Sequence, residues 1–444
     1  MKLFKLPSLP KTATAPFCPS EVQGSIKVPS GLPLWKKILI FLGPGLLVSV
    51  GYMDPGNWAT DIEAGSKYGY ALLFIVLFSS LAAIILQCLS MRIGIVTGQD
   101  LAQLTRRKYS KKTSIVFWIL AEIAIIATDV AEVLGSALAF KLLLGVSLKI
   151  GILLTALDTF IILGLKGKGF RQVEAIVLGL ILTIGACYIA ELWWLKPNWD
   201  QVLSGYVPSL ANLHGFEPWY LAIGILGATV MPHNLYLHSS IVQTRHIPKD
   251  IAGKKSALKF STLDTVASLS LAFLVNSAIL ILAASAFHST GHNDVVEIDQ
   301  AYRLLDPGLG SSVAAFLFGI ALLAAGQSST FTGTIAGQVI LEGFLKLKIP
   351  CWQRRIITRG LALIPAFIGV SLLGDQSTGQ LLVLSQVILS LQLPFAIYPL
   401  IRFASDSQLM GLLRIGNILK LVSWTLFGVI TIANLVLIVK LFLS

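Results

Sequence analysis

Apolar stretches of 18 residues or more recur from Trp35 to the C-terminus of this chain, and no other feature restricts its fold as strongly. As a helix, each is long enough to cross about 30 Å of hydrocarbon. Charged residues make up 13% of the 444 and hydrophobic residues 55%, with a mean hydropathy of +0.79. A soluble domain carries about 25% charged residues, so a water-soluble globule is excluded. The expectation is an all-α membrane protein with one transmembrane domain over residues 35–444. Residues 1–34 are polar, contain prolines and lysines, and lack an apolar core followed by a small-residue cleavage site. They read as a retained, flexible cytoplasmic tail and not as a signal peptide.

Glycine, proline and charge clusters divide the apolar region into eleven spans. Their limits are about 36–66, 70–96, 114–143, 147–165, 171–195, 218–244, 257–288, 310–345, 354–373, 378–402 and 416–442. On this arrangement 28 of the 34 lysines and arginines lie on the side of the N-terminus. Only Lys67, Lys141, Lys149, Lys196, Arg303 and Lys440 lie on the other. The positive-inside rule then puts the N-terminus in the cytoplasm and, for an odd number of crossings, the C-terminus outside. The formal charge of +12 thus reflects topology signals in short loops, not a nucleic-acid partner. Four scattered cysteines form neither a disulfide framework nor a zinc motif. No HExxH, GxSxG, phosphate loop or CxxC stands where it would support an enzyme.

Two of the spans are interrupted. The first reads Gly51-Tyr52-Met53-Asp54-Pro55-Gly56-Asn57 at its middle, and the sixth reads Gly227-Ala228-Thr229-Val230-Met231-Pro232-His233-Asn234. Proline removes a backbone donor and clashes with the preceding turn, and glycine gives the helix no support. Both interruptions carry an x-Pro-x-Asn core, one in span 1 and one in span 6. Five spans per unit is an odd number, so two such units cross the membrane in opposite senses. The repeats fall at about 36–195 and 218–402, with an added helix at about 416–442. Broken helices at matching positions of inverted halves point to a substrate site at the membrane midplane. Unwound backbone is tolerated at that depth only where something polar uses it.

The residues at the breaks are a mixed ligand set. Asp54 supplies an anionic oxygen, Asn57 a neutral oxygen and Met231 a soft thioether, while unwinding exposes the carbonyls of Gly51 and Ala228. Oxygen donors alone would suit magnesium, calcium or manganese; a thioether shifts the preference towards Fe²⁺, Co²⁺ or Cd²⁺ while still admitting Mn²⁺. A methionine in an apolar span is otherwise a gap-filler, and its position opposite Asp54 sets this one apart.

These motifs identify a resemblance to the Nramp family of proton-coupled divalent-metal transporters, especially its bacterial manganese and iron members. It is carried by Asp54-Pro55-Gly56-Asn57, by Met231-Pro232-His233-Asn234 and by Gly326-Gln327-Ser328-Ser329-Thr330, and extends over nearly all eleven spans. The resemblance implies a LeuT-type five-plus-five inverted repeat with broken helices 1 and 6. It implies Asp54, Asn57 and Met231 as metal ligands, joined by the Gly51 or Ala228 carbonyls in different states. Gln386 resembles a family position that approaches the metal in the occluded site; simple bonding to a neighbouring helix is the other reading. Many relatives carry alanine at the position of Gly51, where only the carbonyl would bind. Met231 argues against the magnesium- and aluminium-transporting relatives, which lack that sulfur.

Ionisable residues inside spans are functional candidates by default. Span 3 holds Glu122, Asp129 and Glu132, and Asp129 and Glu132 share a helix face. Span 9 opens with Arg354, Arg355 and Arg359. An acid–base chain from the metal site to the cytoplasm is available through His233, Glu132, Asp129 and a span-9 arginine. The resemblance implies that proton pathway, starting at Asp54, with Arg355 as the partner of Asp129. Binding of M²⁺ at Asp54 would displace a proton into it, and histidine, with a reference pKa of about 6.5, suits the relay. A structural ion pair between Asp129 and Arg355, and packing roles for Glu132, His233 and His238, remain the competing readings. Asn276 faces the vestibule or a neighbouring helix, and Asp158, Glu174 and Asp264 receive no function. The acidic run Asp294, Glu297 and Asp299 reads as a solvated short helix or a cation attractor.

The function that follows is secondary active import of Mn²⁺ and Fe²⁺, with Co²⁺ and Cd²⁺ as further cargo, coupled to protons by alternating access. No cofactor, no nucleic acid and no obligate protein partner is expected beyond the metal ions, protons and membrane lipids. A sodium-coupled amino-acid symporter is disfavoured because Asp54 would repel a substrate carboxylate. A passive metal channel would use the same ligands, but paired broken helices favour alternating access. The expected location is a bacterial inner membrane. A periplasm-active reporter fused at the C-terminus is expected to be active and a cytoplasm-active one silent; the reverse pattern contradicts the orientation.

Overall fold

The computed structural model describes residues 23–28, 33–163, 170–209, 215–308, 312–346, 351–374 and 377–443. Prolines and glycines set its helix boundaries. α1 (Leu34–Phe41), α2 (Pro44–Gly51) and α3 (Pro55–Tyr68) make up the first expected span, and α2 and α3 each begin on a proline, whose missing N–H costs nothing there. α4 (Leu73–Thr97), α5 (Leu101–Lys108), α6 (Lys111–Leu144), α7 (Leu148–Leu163), α8 (Phe170–Leu195) and α9 (Trp199–Gly205) follow. The sixth span is again two helices, α10 (Glu217–Thr229) and α11 (Pro232–Ile241). α12 (Ile251–Ala286), α13 (Ile298–Gly308), α14 (Ser312–Leu345), α15 (Cys351–Leu373), α16 (Thr378–Ser405), α17 (Ser407–Met410) and α18 (Asn417–Leu443) complete the chain.

Helix is therefore present in all eleven expected spans. Among the described residues, however, only seven helical stretches are long and apolar enough to cross a membrane by themselves, or eight if α1 and α2, bent by 41°, count as one. Half of the shortfall is physical: spans 1 and 6 are broken, so none of their pieces is long enough by itself. For the other two spans the count covers only the described residues, 16 in α7 and Arg359–Leu372 in α15. The packing core joins α6 to α14 and α16, and α12 to α3 and α4. Large apolar side chains such as Leu182, Ile189, Trp193 and Leu435 face outwards, as a lipid-facing exterior requires.

A third break, at Leu42–Gly43, was not expected from the sequence. Gly43 takes φ +144°, and its Cα packs directly against the Glu174 carboxylate, leaving no room for a side chain. Helix ends leave unpaired N–H groups at the start and carbonyls at the finish, and residues far away in sequence meet both needs here. The Gly43 and Gly45 N–H groups donate to Asp264 Oδ1 and Oδ2 at 3.3 and 2.7 Å. Arg245 donates to the Ile40 and Leu42 carbonyls at 3.2 and 2.9 Å, and Arg171 to those of Leu39 and Leu42. Glu174 neutralises both cations, at 2.6 Å from Arg245 and 2.9 Å from Arg171. Anion at the start of α2 and cations at the end of α1 also match the helix dipoles. Glu174 and Asp264 thus have a structural task.

Within the stretch expected as a flexible tail, residues 23–28 are docked. Gly24 N–H and Ile26 N–H donate to the Gln243 and Thr244 carbonyls at 2.9 and 3.0 Å, and His246 N–H returns a bond to the Ile26 carbonyl at 2.8 Å. This strap ties the segment before α1 to the end of the broken sixth span.

At the opposite end, the acidic run divides its labour. Asp299 pairs with Lys141 and Arg303, while Glu297 Oε2 accepts from the Gly379 N–H at 2.8 Å and caps the start of α16. Burial pushes the Glu297 carboxyl up from 4.5 to about 7, against the Gly379 bond and Lys141, which hold it down; Asp299 and Glu63 push the same way as burial. Between about pH 4.5 and about 7 the folded protein therefore binds a proton here more readily than the unfolded chain. This group's contribution to stability is full below that window and falls as pH rises through it. Glu297→Gln is expected to flatten that part of a Tm-against-pH profile in detergent; an unchanged slope would contradict the assignment.

Candidate metal and proton site

The two proline-centred breaks free their carbonyls by the same device. A helical carbonyl bonds the N–H four residues on; four residues after Gly51 stands Pro55, and four after Ala228 stands Pro232. Neither proline has an N–H to give. Asp54 is the N-cap of α3, and its Oδ1 accepts from the Asn57 N–H at 2.9 Å while Oδ2 is buried without a partner. Asn57 Oδ1 is likewise unpartnered. Met231 occupies the N-cap position of α11, and its sulfur accepts a long contact of 3.7 Å from Asn234 Nδ2.

The two breaks meet. A Cβ added to Gly51 would fall 3.3 Å from Met231 Sδ and nearer still to the Asn234 amide. Gln386 of α16 lies between the halves: its amide abuts Gly56 and its main-chain carbonyl abuts Gly227, with Oε1 unpartnered. Gly135 of α6 leaves space for the Pro55 ring. Asp54, Met231, Ala228 and Gln386 are all 0% exposed, so the site is closed to both sides. Among the described residues no group of three His, Cys, Asp or Glu is arranged to hold a metal. A cation here would instead meet one carboxylate, neutral oxygens and one sulfur, which is the chemistry expected of a transferable first-row ion.

His233 follows the Met231-Pro232 break, is 2% exposed, and approaches Thr128 Oγ1 of α6 through Nδ1 at 3.4 Å. Asp129 is the next residue of α6, and Glu132, one turn further on, lies beside Gly333 of α14. Asp129 and Glu132 are 5% and 1% exposed, so both carboxyls are inside the bundle. The Arg354 and Arg355 side chains lie outside the described residues, as does that of Asp158. Arg359 is buried and donates to the Thr155 carbonyl of α7 at 3.1 Å.

Other polar residues sort by contact. His238 Nδ1 is 2.9 Å from Gln87 Oε1, and Gln87 Nε2 donates to the Tyr52 hydroxyl at 2.7 Å. That buried chain joins α11, α4 and the end of α2, and its Tyr52 and Gln87 were not singled out in the sequence. Asn276 is buried on α12 with Oδ1 unpartnered. Asp61 and Glu191 were also overlooked, although an Asp four residues after Asn57 on one helix face was a readable signal.

A family model described as Nramp, natural resistance-associated macrophage protein-like, matches residues 45–440. The chain is similar to the divalent metal cation transporter MntH of Ralstonia nicotianae, at 65% identity over 98% of this chain and 98% of that one. A crystal structure of a mutant manganese transporter from Eremococcus coleocola superimposes with a TM-score of 0.88 at 39% identity, covering 94% of this chain and 90% of that one. Mhp1, a nucleobase-cation-symport-1 family transporter in a closed conformation, is alike in fold alone, with a TM-score of 0.60 at 15% identity over 90% and 91% of the two chains.

Gly56→Ala is expected to push Gln386 aside and weaken Mn²⁺ binding by calorimetry on the order of tenfold, the effect of about 1.4 kcal/mol. Unchanged affinity would remove Gln386 from the neighbourhood of the bound ion.

Proposed function

This chain belongs to the Nramp family of membrane transporters for divalent metal cations, and from that premise we propose that it imports Mn²⁺ and Fe²⁺ together with protons by alternating access. The fold is LeuT-type, and the protein is a transporter and not an enzyme. In this reading the chain crosses the bacterial inner membrane eleven times, with its N-terminus in the cytoplasm and its C-terminus outside.

One observation carries the reading: Asp54 Oδ2 stands buried and unpartnered where two broken helices touch, beside a thioether. An arriving M²⁺ is taken by Asp54, Asn57 and Met231, and the Gly51 and Ala228 carbonyls replace part of its water shell. Gln386 closes over it. The carboxylate that binds the ion cannot keep a proton, so the proton leaves Asp54 as the metal binds. His233 lies between the break and α6, in position to pass it to Glu132 and Asp129, with Arg355 as the proposed charge partner on α15. Metal and proton then share one entry group but leave by different side chains. The full burial of the ligands favours this over a passive channel, because an open pore would leave them in contact with water.

Met231 sets the selectivity. A sulfur donor adds little for Ca²⁺ or Mg²⁺ and more for the softer first-row ions. In proteoliposomes, Mn²⁺ uptake is expected to saturate and to rise as the outside is acidified. Asp54→Asn reduces it to background, and Met231→Ala leaves uptake that Ca²⁺ and Mg²⁺ now inhibit. Uptake indifferent to outside pH would remove the coupling to protons, and absence of Mn²⁺ uptake would overturn the cargo.

A further inference from the structure

Outward of the metal ligands, the core holds a pair of carboxyls that the scheme above does not use. Asp61 of α3 and Glu191 of α8 are 1% and 0% exposed. Asp61 Oδ2 and both Glu191 oxygens have no hydrogen-bond partner. Two contacts fix the relation of their helices. Gly43, at the start of α2, lies against Glu174 near the start of α8, and further along the Trp58 and Tyr188 rings pack with centroids 5.2 Å apart, tilted by 58°. The broken first span and α8 therefore rise side by side in the same direction. Asp61 is three residues beyond Trp58 and Glu191 three beyond Tyr188, one turn up on the same face of each helix. Both carboxyls lie within charge–charge range of the Tyr188 hydroxyl, which is itself unpartnered.

α12 forms the third wall. It meets α2 at Asp264 and Gly45, and α3 at Leu280 and Gly65, so Asn276 stands at about the level of Asp61, with its own Oδ1 unpartnered. Among the described residues, no lysine or arginine makes an ion pair with either carboxyl. On α3 the flanking charges are Asp54 inward and Glu63 outward, the latter held by Lys67, which also holds Glu217 of α10. α12 carries no charged side chain between Asp264 and its outer end, and neither does α14 between Val313 and Leu341 or α16 before Arg402. α6 contributes Asp129 and Glu132 below and Lys141 above, the last paired with Asp299. Two bare carboxylates without a counter-ion are not tolerated at this depth; the pair must hold a proton or a cation.

We propose that Asp61 and Glu191 form a proton-loading pair that takes protons from the outer aqueous phase and supplies them to Asp54. Asp61 and Asp54 are seven residues apart, two turns of one helix face, or about 10 Å along its axis, a gap within the reach of a short water chain. When Asp54 is an empty carboxylate, the Asp61 O–H bond breaks and an O–H bond forms at Asp54. A proton from Glu191 then restores Asp61 by way of the Tyr188 hydroxyl, which lies in range of both carboxyls, and Glu191 is refilled from outside. The inference rests on the proton coupling proposed above and adds its entry side.

The test uses the full chain in proteoliposomes with an internal pH dye, comparing wild type, Asp61→Asn, Glu191→Gln and Asp61→Glu. Mn²⁺ binding by calorimetry is expected to survive in all four. Protons moved per Mn²⁺ should fall by about half or more in the two amide variants, with loss of the acid stimulation of uptake, and recover in Asp61→Glu. Infrared difference spectra of wild type after an acid jump should show a protonated-carboxyl band that Glu191→Gln weakens, a readout that needs no transport. Wild type that moves no protons would sink the coupling and the pair together. Coupled wild type with unchanged amide variants would overturn the pair alone. Loss of Mn²⁺ binding in the amide variants would make the pair a metal site or a structural support, and would equally overturn it.

Discussion

A backbone carbonyl inside hydrocarbon must find a partner, and in this protein two are denied one by the prolines that follow at Pro55 and Pro232. The deficit is local, but it determines the rest. It ends α2 and α10 at mid-depth, brings polar N-cap positions to the start of α3 and α11, and makes an unfilled oxygen cluster the lowest-cost content of the gap. In the proposed function a divalent ion would answer that deficit, because it would gather carbonyl, amide and carboxylate oxygens at one point. The ion's site and the helix break would then be one feature.

The surrounding glycines exist to let the two breaks approach. Gly51 admits Met231 and Asn234, Gly56 and Gly227 admit Gln386, and Gly135 admits the Pro55 ring. Below the site, the break at Leu42–Gly43 is held by Asp264, Glu174, Arg171 and Arg245, which cap both helix ends and neutralise one another. A buried ion pair such as Arg245–Glu174 is a costly way to gain stability but a precise way to fix geometry. These groups lie on α8, on α12 and just beyond α11, so together they join the first span to three other parts of the bundle.

The all-helical membrane fold and the two proline breaks were legible because their signals are chemically explicit and local: long apolar runs, and prolines within them. Asp54, Asn57 and Met231 could be named as candidate ligands from those same stretches, which the structure brings together. The break at Gly43 was not legible. It contains no polar residue, and the groups that make it tolerable lie more than 120 residues away in sequence, at Arg171, Glu174, Arg245 and Asp264. The docking of residues 23–28 was hidden for the same reason, since its bonds are made by backbone and leave no trace in side-chain pattern. The chain Tyr52–Gln87–His238 joins three helices and could be seen only once they were packed. Asp61 and Glu191 differ: each is a visible acid in an apolar helix, but what distinguishes them is their mutual level, which depends on how α3 and α8 stack.

Anomalous diffraction from crystals soaked in Mn²⁺ tests, without reference to transport, whether one ion sits where the two broken helices meet. The expected result is one strong peak bounded by Asp54, Asn57 and Met231, absent from Asp54→Asn crystals. A peak elsewhere in the bundle, at Asp61 and Glu191 for example, with none between the breaks, would contradict it.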